Sequence, residues 1–150
     1  MNEIRSLFTE YASGLGISLC FQDFDNELKG LPGDYREPGG LLLLAKVDQL
    51  SAGCCALRPL KVKGHGHAAE MKRLYVRPAF RGKAIGLQLV NAILKGAASA
   101  GYSAVLLDTL GTMGEAQSLY QRLGFVEIPA YYDNPIKGAK YLKLDLTQTP

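Results

Sequence analysis

The stretch RLYVRPAFRGKAIGLQLV, residues 73–90, constrains the fold of this chain more than any other part of it. Its first residues are apolar and rich in β-forming types, and they end at Pro78. The hexapeptide RGKAIG (81–86) then leads directly into apolar residues at helical spacing. The first backbone N–H groups of a helix lack internal partners, and the helix dipole favours an anion there. The sequence therefore predicts a strand that runs into a helix, with an anion-binding site at the junction.

The hydrophobic pattern predicts a complete set of elements around this junction. Helical spacing predicts helices over residues 3–13, 84–98 and 114–125, with one short helix around Glu27. Apolar, β-forming runs predict strands over residues 17–21, 41–47, 52–60, 68–76, 103–110, 126–128 and 140–146. The short connectors between the three strands from 41 to 76 are typical of an antiparallel meander. This order predicts one α/β (α+β) domain over residues 1–150, built on a mixed sheet.

The charge of the chain argues against a polyanionic partner. Lysine and arginine number 17 against 14 aspartates and glutamates, which gives a net charge of only +3. Nucleic-acid-binding domains usually carry a stronger basic balance. No run of residues approaches the ~18 apolar residues of a membrane helix, and the N-terminus lacks the pattern of a signal peptide. We therefore expect a cytoplasmic protein with neither a nucleic-acid nor a membrane partner.

The cysteines and histidines do not predict a metal site. Cys54 and Cys55 are adjacent, Cys20 is remote, and no C-x-x-C pair occurs. We expect three reduced thiols, as is usual in a cytoplasmic protein. His65 and His67 lie in a GHGH segment without a cysteine or carboxylate cluster beside it, which favours a glycine-rich loop over a metal half-site.

The glycines of the junction match neither of the two main nucleotide fingerprints. There is no G-x-x-x-x-G-K-[ST], and no G-x-G-x-x-G followed by an acidic residue about 20 positions later. A purely structural interpretation also stays open, with Gly82 in a turn and Gly86 as a helix-packing residue.

The segment VRPAFRGKAIGLQLV resembles the acetyl-coenzyme A signature of the GNAT superfamily of N-acetyltransferases, [Q/R]-x-x-G-x-[G/A]. Arg81 takes the first position of the signature and Gly86 the last, and Ala84 stands where glycine is usual. AEMKRLYV upstream and AQSLYQRLGF downstream extend the resemblance in the same order over residues 3–146. The resemblance implies a GNAT-like mixed, mostly antiparallel central sheet flanked by helices, with acetyl-coenzyme A as cosubstrate and no metal.

The resemblance also implies which residues bind acetyl-coenzyme A. The amides of the junction would hold the pyrophosphate, and the strand before it would pair with the pantetheine. We expect Ala84 to adopt ordinary right-handed geometry, in which its methyl group is tolerated. The implied binding residues are Leu74, Tyr75, Val76, Arg81, Gly82, Lys83, Ala84, Ile85, Gly86 and Leu87.

Two residues match catalytic positions of the family. Glu70 corresponds to the general base of several relatives, and Asp108 is the next carboxylate to consider. Tyr120 corresponds to the acid that protonates the leaving thiolate. The alternatives are that Glu70 is an exposed strand carboxylate paired with Lys72 or Arg73, and that Tyr120 is a core aromatic.

The expected activity is direct transfer of acetyl to the primary amine of a small molecule. A non-catalytic coenzyme A-binding sensor or interaction module stays open, as does a protein acetyltransferase acting on lysine or an N-terminus. The candidate acceptor-binding residues are Arg58, Arg73, Asp108, Tyr131 and Tyr132. The sequence leaves a homodimer open.

Overall fold

The computed structural model of the protein describes residues 1–15, 23–110, 114–132 and 138–146. Within these residues the strands are β1 (Leu41–Val47), β2 (Leu50–Pro59), β3 (Ala68–Val76), β4 (Ala104–Thr109), β5 (Val126–Ile128) and β6 (Lys140–Asp145). The α-helices are α1 (Asn2–Leu15), α2 (Phe24–Gly30), α3 (Ile85–Ser99) and α4 (Gly114–Arg122). The elements follow the predicted order. The predicted strand at 17–21, with Cys20, lies outside the described residues.

The six described strands form one mixed sheet in the order β1-β2-β3-β4-β6-β5. β1, β2 and β3 pair antiparallel, which confirms the predicted meander. β3 and β4 pair parallel, because α3 carries the chain back to the start of the sheet between them. β6 pairs antiparallel with both β4 and β5. The predicted mixed, mostly antiparallel sheet flanked by helices is therefore confirmed.

The helices cover the two faces of the sheet. α1 and α2 pack on one face, where Leu7, Phe8 and Phe24 join Cys54 and Ala56 in a buried cluster. α3 and α4 cover the opposite face, and their apolar side chains form the larger core with alternate residues of β2, β3 and β4. Residues one position apart on these strands therefore face different helices. The position of a polar residue along its strand determines whether its side chain lies on the α1 side or the α3 side of the sheet.

The parallel pair opens partway along its length. Its ladder joins Ala68–Glu70 to Ala104–Leu106, and among the described residues, which include all of both strands, the pairing ends there. β3 continues to Val76 and β4 to Thr109. These two ends do not pair with each other, and we call the space between them the fork. Backbone groups along this edge of β3 are left without a neighbouring strand.

Candidate active site at the fork

A cavity of about 30 Å³ lies in the fork. Polar side chains from both open strands and from two helices line it, together with apolar residues of the strands. Its lining consists of Tyr11, Met71, Lys72, Arg73, Leu74, Leu107, Asp108, Thr109 and Tyr120. A cavity of this size and polarity has room for an ordered water. The fork therefore brings phenol, ammonium and carboxylate groups to one enclosed place.

Four charged side chains of alternating sign cross the centre of the sheet beside this cavity. Arg58 on β2 and Glu70 on β3 are register partners. Lys72 Nζ lies 4.0 Å from Glu70 Oε2 and 3.5 Å from Asp108 Oδ1. Burial lowers the pKa of Lys72, while the two carboxylates oppose that shift. A row of this kind is stable in the interior only because each charge has an opposite neighbour.

Glu70 is buried, with 5% of its surface exposed. Its Oε1 accepts hydrogen bonds from Arg58 Nε at 3.0 Å and contacts Arg58 Nη2 at 2.9 Å. Its Oε2 accepts a hydrogen bond from the Tyr131 hydroxyl at 2.7 Å. The interpretation of Glu70 as an exposed carboxylate is therefore wrong, because the register of β2 and β3 places it under Arg58 and Tyr131.

Asp108 has a parallel arrangement on β4. Its Oδ2 accepts a hydrogen bond from the Tyr132 hydroxyl at 2.6 Å. Burial, together with the nearby carboxylates, raises the pKa of both Tyr131 and Tyr132. Both phenols therefore keep their protons at neutral pH and act as donors to the two carboxylates. Their rings form a cluster with Tyr141, with centroids 5.3–5.6 Å apart.

Tyr120 lies in the core and also borders the cavity in the fork. It is 5% exposed and belongs to the core beneath the sheet, with its ring 5.5 Å from that of Phe125. It also lines the cavity in the fork. Burial raises the pKa of its phenol well above the usual range, so the hydroxyl is protonated at neutral pH.

The junction before α3 is exposed and has unusual backbone geometry. Gly82 has φ +83°, and a Cβ built there meets no atom within 4 Å. Ala84 precedes the first residue of α3, with φ 60° and ψ 23°. The expectation of right-handed geometry at Ala84 is therefore wrong: the turn that enters α3 needs a left-handed residue, which disfavours a side chain. No described side chain caps this helix end, and Arg81 Nε donates to the Val76 carbonyl at 2.9 Å.

The other predicted binding residues lie as follows. Leu74, Tyr75 and Val76 are half-buried on the end of β3 that is not paired with β4. Ile85, Gly86 and Leu87 form the first turn of α3. Lys83 Nζ lies 5.9 Å from the centre of the Phe80 ring.

The guanidinium groups of Arg58 and Arg73, two of the candidate acceptor-binding residues, both bind carboxylates of the protein, Glu70 and Glu27 respectively. The structure thus gives these two arginines internal partners.

The sequence interpretation named Lys72 only as a partner of Glu70, and it did not name Glu27 or Tyr11 as site residues. Lys72 and Arg73 stand in an otherwise buried strand, and such charges require opposite partners. That signal shows that acidic partners exist, but it does not identify them, since Glu27 is 46 residues from Arg73.

Metal and membrane features are absent from the part of the chain that the structure describes. No group of three or more His, Cys, Asp or Glu side chains there is arranged to hold a metal ion. His65 Nδ1 lies 3.3 Å from Lys143 Nζ instead. No described helix is long and apolar enough to cross a membrane.

Comparisons with known proteins identify relatives of this chain. The family profile "Acetyltransferase (GNAT) domain" matches residues 38–127. An uncharacterized N-acetyltransferase of Schizosaccharomyces pombe is 38% identical over 149 residues, covering 99% of this chain and 90% of that protein.

Solved structures share the fold at low identity. A GNAT-family acetyltransferase of Staphylococcus aureus Mu50 has a TM-score of 0.77 at 19% identity, covering 97% of this chain and 92% of that one. The yncA protein of Salmonella typhimurium, solved with its cofactor acetyl-coenzyme A, has a TM-score of 0.64 at 19% identity, covering 84% and 75%. The family profile and the identity to the yeast relative together decide the assignment: this chain belongs to the GNAT superfamily and is an acetyltransferase.

Proposed function

We propose that the protein transfers the acetyl group of acetyl-coenzyme A directly to the primary amine of a small molecule, within a ternary complex. The observation that carries this proposal is the fork, where a protonated phenol, Tyr120, and a carboxylate, Asp108, line one cavity. Glu70 lies beside this cavity, with its Oε2 4.0 Å from Nζ of Lys72, which belongs to the lining. The unpaired edge of β3 borders the same cavity and leads to the α3 junction. Proton donor, proton acceptor and an anion-binding helix end thus lie along one path.

The residues of the junction fit the phosphates of coenzyme A. The space beside Gly82 is open, and the first N–H groups of α3 have no described side-chain cap, so amides of residues 82–87 are available to an anion. Arg81 and Lys83 add positive charge at the surface there. Amides of β3 between Leu74 and Val76 suit the peptide-like groups of pantetheine, because they lie beyond the ladder with β4. When bound, acetyl-coenzyme A supplies an acetyl group activated as a thioester.

The acceptor amine must lose a proton before it reacts. At pH 7 this costs about 4.6 kcal/mol for a lysine-like amine of pKa ~10.4, and about 1.4 kcal/mol for an α-amine of pKa ~8. In our proposal Glu70 is the base and receives the proton through the Tyr131 hydroxyl, which already donates to its Oε2. Asp108 with Tyr132 forms a second pair of the same kind and is the alternative base.

Two further groups act on the thioester in this proposal. An amide on the open edge of β3 near Leu74 donates to the carbonyl oxygen as it gains negative charge. Tyr120 donates its proton to the departing thiolate; its place in the lining of the cavity supports this role, because a phenol there holds a proton at neutral pH.

The cysteines support direct transfer over an acetyl-cysteine intermediate. Cys54 and Cys55 are fully buried, and burial raises the pKa of both thiols, that of Cys54 to about 12. A nucleophilic cysteine needs a lowered pKa, because the thiolate is the reactive form. The free thiols also support the expected cytoplasmic location.

The surroundings of the two carboxylates support a small-molecule acceptor. The rings of Tyr131, Tyr132 and Tyr141 stand over Glu70 and Asp108, and aromatic faces beside carboxylates suit a compact organic cation. The net charge of +3 also favours a small-molecule acceptor over a nucleic-acid or membrane partner.

The test is release of free thiol from acetyl-coenzyme A with a panel of primary amines, with the acetylated product identified by mass spectrometry. We expect turnover with at least one small amine, and an acetyl-coenzyme A KM raised more than about tenfold in Gly82→Glu by charge repulsion. Gly82→Asn is the matched control, because asparagine tolerates a left-handed backbone and adds no charge. Tight coenzyme A binding without transfer to any amine would instead identify a non-catalytic sensor.

A further inference from the structure

Arg73 occupies a backbone conformation that its side chain disfavours. Its φ is 61°, in the left-handed region, although it lies within strand β3. The register changes at the same place: Cys54 pairs with Tyr75, and Ala56 with Lys72, so β3 carries one residue more than β2 between the two pairs. This is a β-bulge. A strained residue in a strand persists only where its surroundings hold it.

The side chain of Arg73 is held on several sides. Its Nε and Nη2 each donate to one carboxylate oxygen of Glu27, both at 2.9 Å. The guanidinium carbon lies 5.8 Å from the centre of the Tyr11 ring and 5.2 Å from that of Phe24. Only 1% of the Arg73 side chain and 10% of the Glu27 side chain are exposed. The contact is a buried, two-point ion pair between aromatic rings, a geometry that lysine cannot reproduce.

The position of this ion pair links α2 to the fork. Glu27 lies on α2, outside the sheet, whereas Arg73 lies three residues after the last β3 residue paired with β4. Arg73 and its neighbour Leu74 both line the cavity in the fork. A change of backbone angle at Arg73 therefore redirects the peptide groups that border this cavity.

We propose that Glu27 and Arg73 are positioning residues whose ion pair holds the β3 bulge, and thereby aims the free amides near Leu74 at the carbonyl oxygen of the acetyl group. The inference rests on the proposed function for the use of those amides. The clamp on the bulge is a property of the chain itself and can be measured without substrate.

Two double variants separate the clamp from ordinary packing. Glu27→Gln/Arg73→Gly and Glu27→Gln/Arg73→Ala both remove the ion pair and differ by one methyl group. Glycine adopts a positive φ without strain, whereas alanine does not. If the ion pair holds the bulge, the glycine variant keeps it and the alanine variant loses it. A role in packing alone predicts no such difference, because the two side chains fill almost the same small volume.

The first readout is the backbone conformation of residue 73 in the unliganded protein, from backbone chemical shifts in NMR spectra. We expect a left-handed signature in the wild type and in the glycine variant, and its loss in the alanine variant. The second readout is steady-state kinetics. We expect kcat of the alanine variant to fall at least about tenfold below that of the glycine variant. The acetyl-coenzyme A KM should agree within about twofold, since the phosphate site is elsewhere.

The outcomes distinguish this inference from the proposed function. Equal kcat values with a left-handed residue 73 in both double variants would overturn the inference. The expected NMR difference in a protein that acetylates no amine would support the clamp and contradict the proposed function. Glu27→Gln alone is a milder second test: it should lower kcat more than it changes acetyl-coenzyme A KM, and an unchanged kcat would overturn the inference.

Discussion

Ala84→Gly should stabilise the protein, although glycine usually destabilises a folded chain. Ala84 has φ 60° and ψ 23° immediately before α3. A residue with a Cβ destabilises the folded protein by about 1–2 kcal/mol in this left-handed region, and glycine removes that strain. Glycine also lowers the free energy of unfolding by about 0.4–1 kcal/mol, because it has more conformational freedom in the unfolded chain. The expected net gain is about 0.5–1 kcal/mol in the free energy of unfolding.

Ala92→Gly is the matched control. Ala92 is exposed in the middle of the same helix, in regular helical geometry. The identical substitution there should cost about 1 kcal/mol, the usual difference between alanine and glycine in a helix interior. The two variants therefore should move in opposite directions from the wild type.

Urea denaturation with equal m-values measures both differences, and thermal unfolding checks them. A change of 1 kcal/mol corresponds to a shift of about 2–4 °C in Tm for a domain of this size. If Ala84→Gly lowers the free energy of unfolding as Ala92→Gly does, residue 84 is right-handed. The geometry described for the junction would then be refuted.

Three further substitutions test the site and its surroundings. Tyr120→Phe should lower kcat with little change in acetyl-coenzyme A KM, since the hydroxyl acts on the departing thiolate. A loss of thermal stability with unchanged turnover would show that Tyr120 serves only as a core aromatic. Glu70→Gln should lower turnover at neutral pH by about 10²–10⁴, and the defect should shrink as pH approaches the pKa of the amine; a flat, pH-independent defect would transfer the role of base to Asp108. Glu10→Gln removes an ion pair in which the hydrogen bond from Arg77 holds the pKa of Glu10 below its ordinary value of 4.5. This pair stabilises the fold above that value and loses its effect as pH falls through the lowered pKa. Because 39% of the Glu10 side chain is exposed, the cost should be only about 0.5 kcal/mol near pH 6, and stability curves that stay parallel down to pH 3 would contradict the assignment.

The sequence predicts local structure at this site better than it predicts contacts between distant residues. The bounds of β1 and β3 agree with those read from the apolar runs, and α3 ends where Gly101, with φ +90°, allows the chain to turn. These elements follow from periodicity and from glycine, both of which act over a few residues. The backbone of Ala84 could not be predicted in the same way, because its residue type argues against the geometry that the turn imposes.

The partners of the charged residues depend on tertiary packing. Glu70 meets Arg58 through the register of β2 and β3, and it meets Tyr131 across 61 residues of sequence. A shift of one residue in that register would turn these side chains to opposite faces of the sheet. No local pattern fixes such a register, so the alternative of an exposed Glu70 could not be decided from the sequence, and the structure shows that the residue is buried.

A crystal structure of the protein with coenzyme A would show whether the fork and the α3 junction bind the cofactor. We expect the pyrophosphate on the amides of residues 82–87 and the thiol sulfur in the fork, between the open ends of β3 and β4 and next to the Tyr120 hydroxyl. Coenzyme A bound with its phosphates away from Gly82, or with its sulfur outside the fork, would contradict the assignment of this site to acetyl transfer.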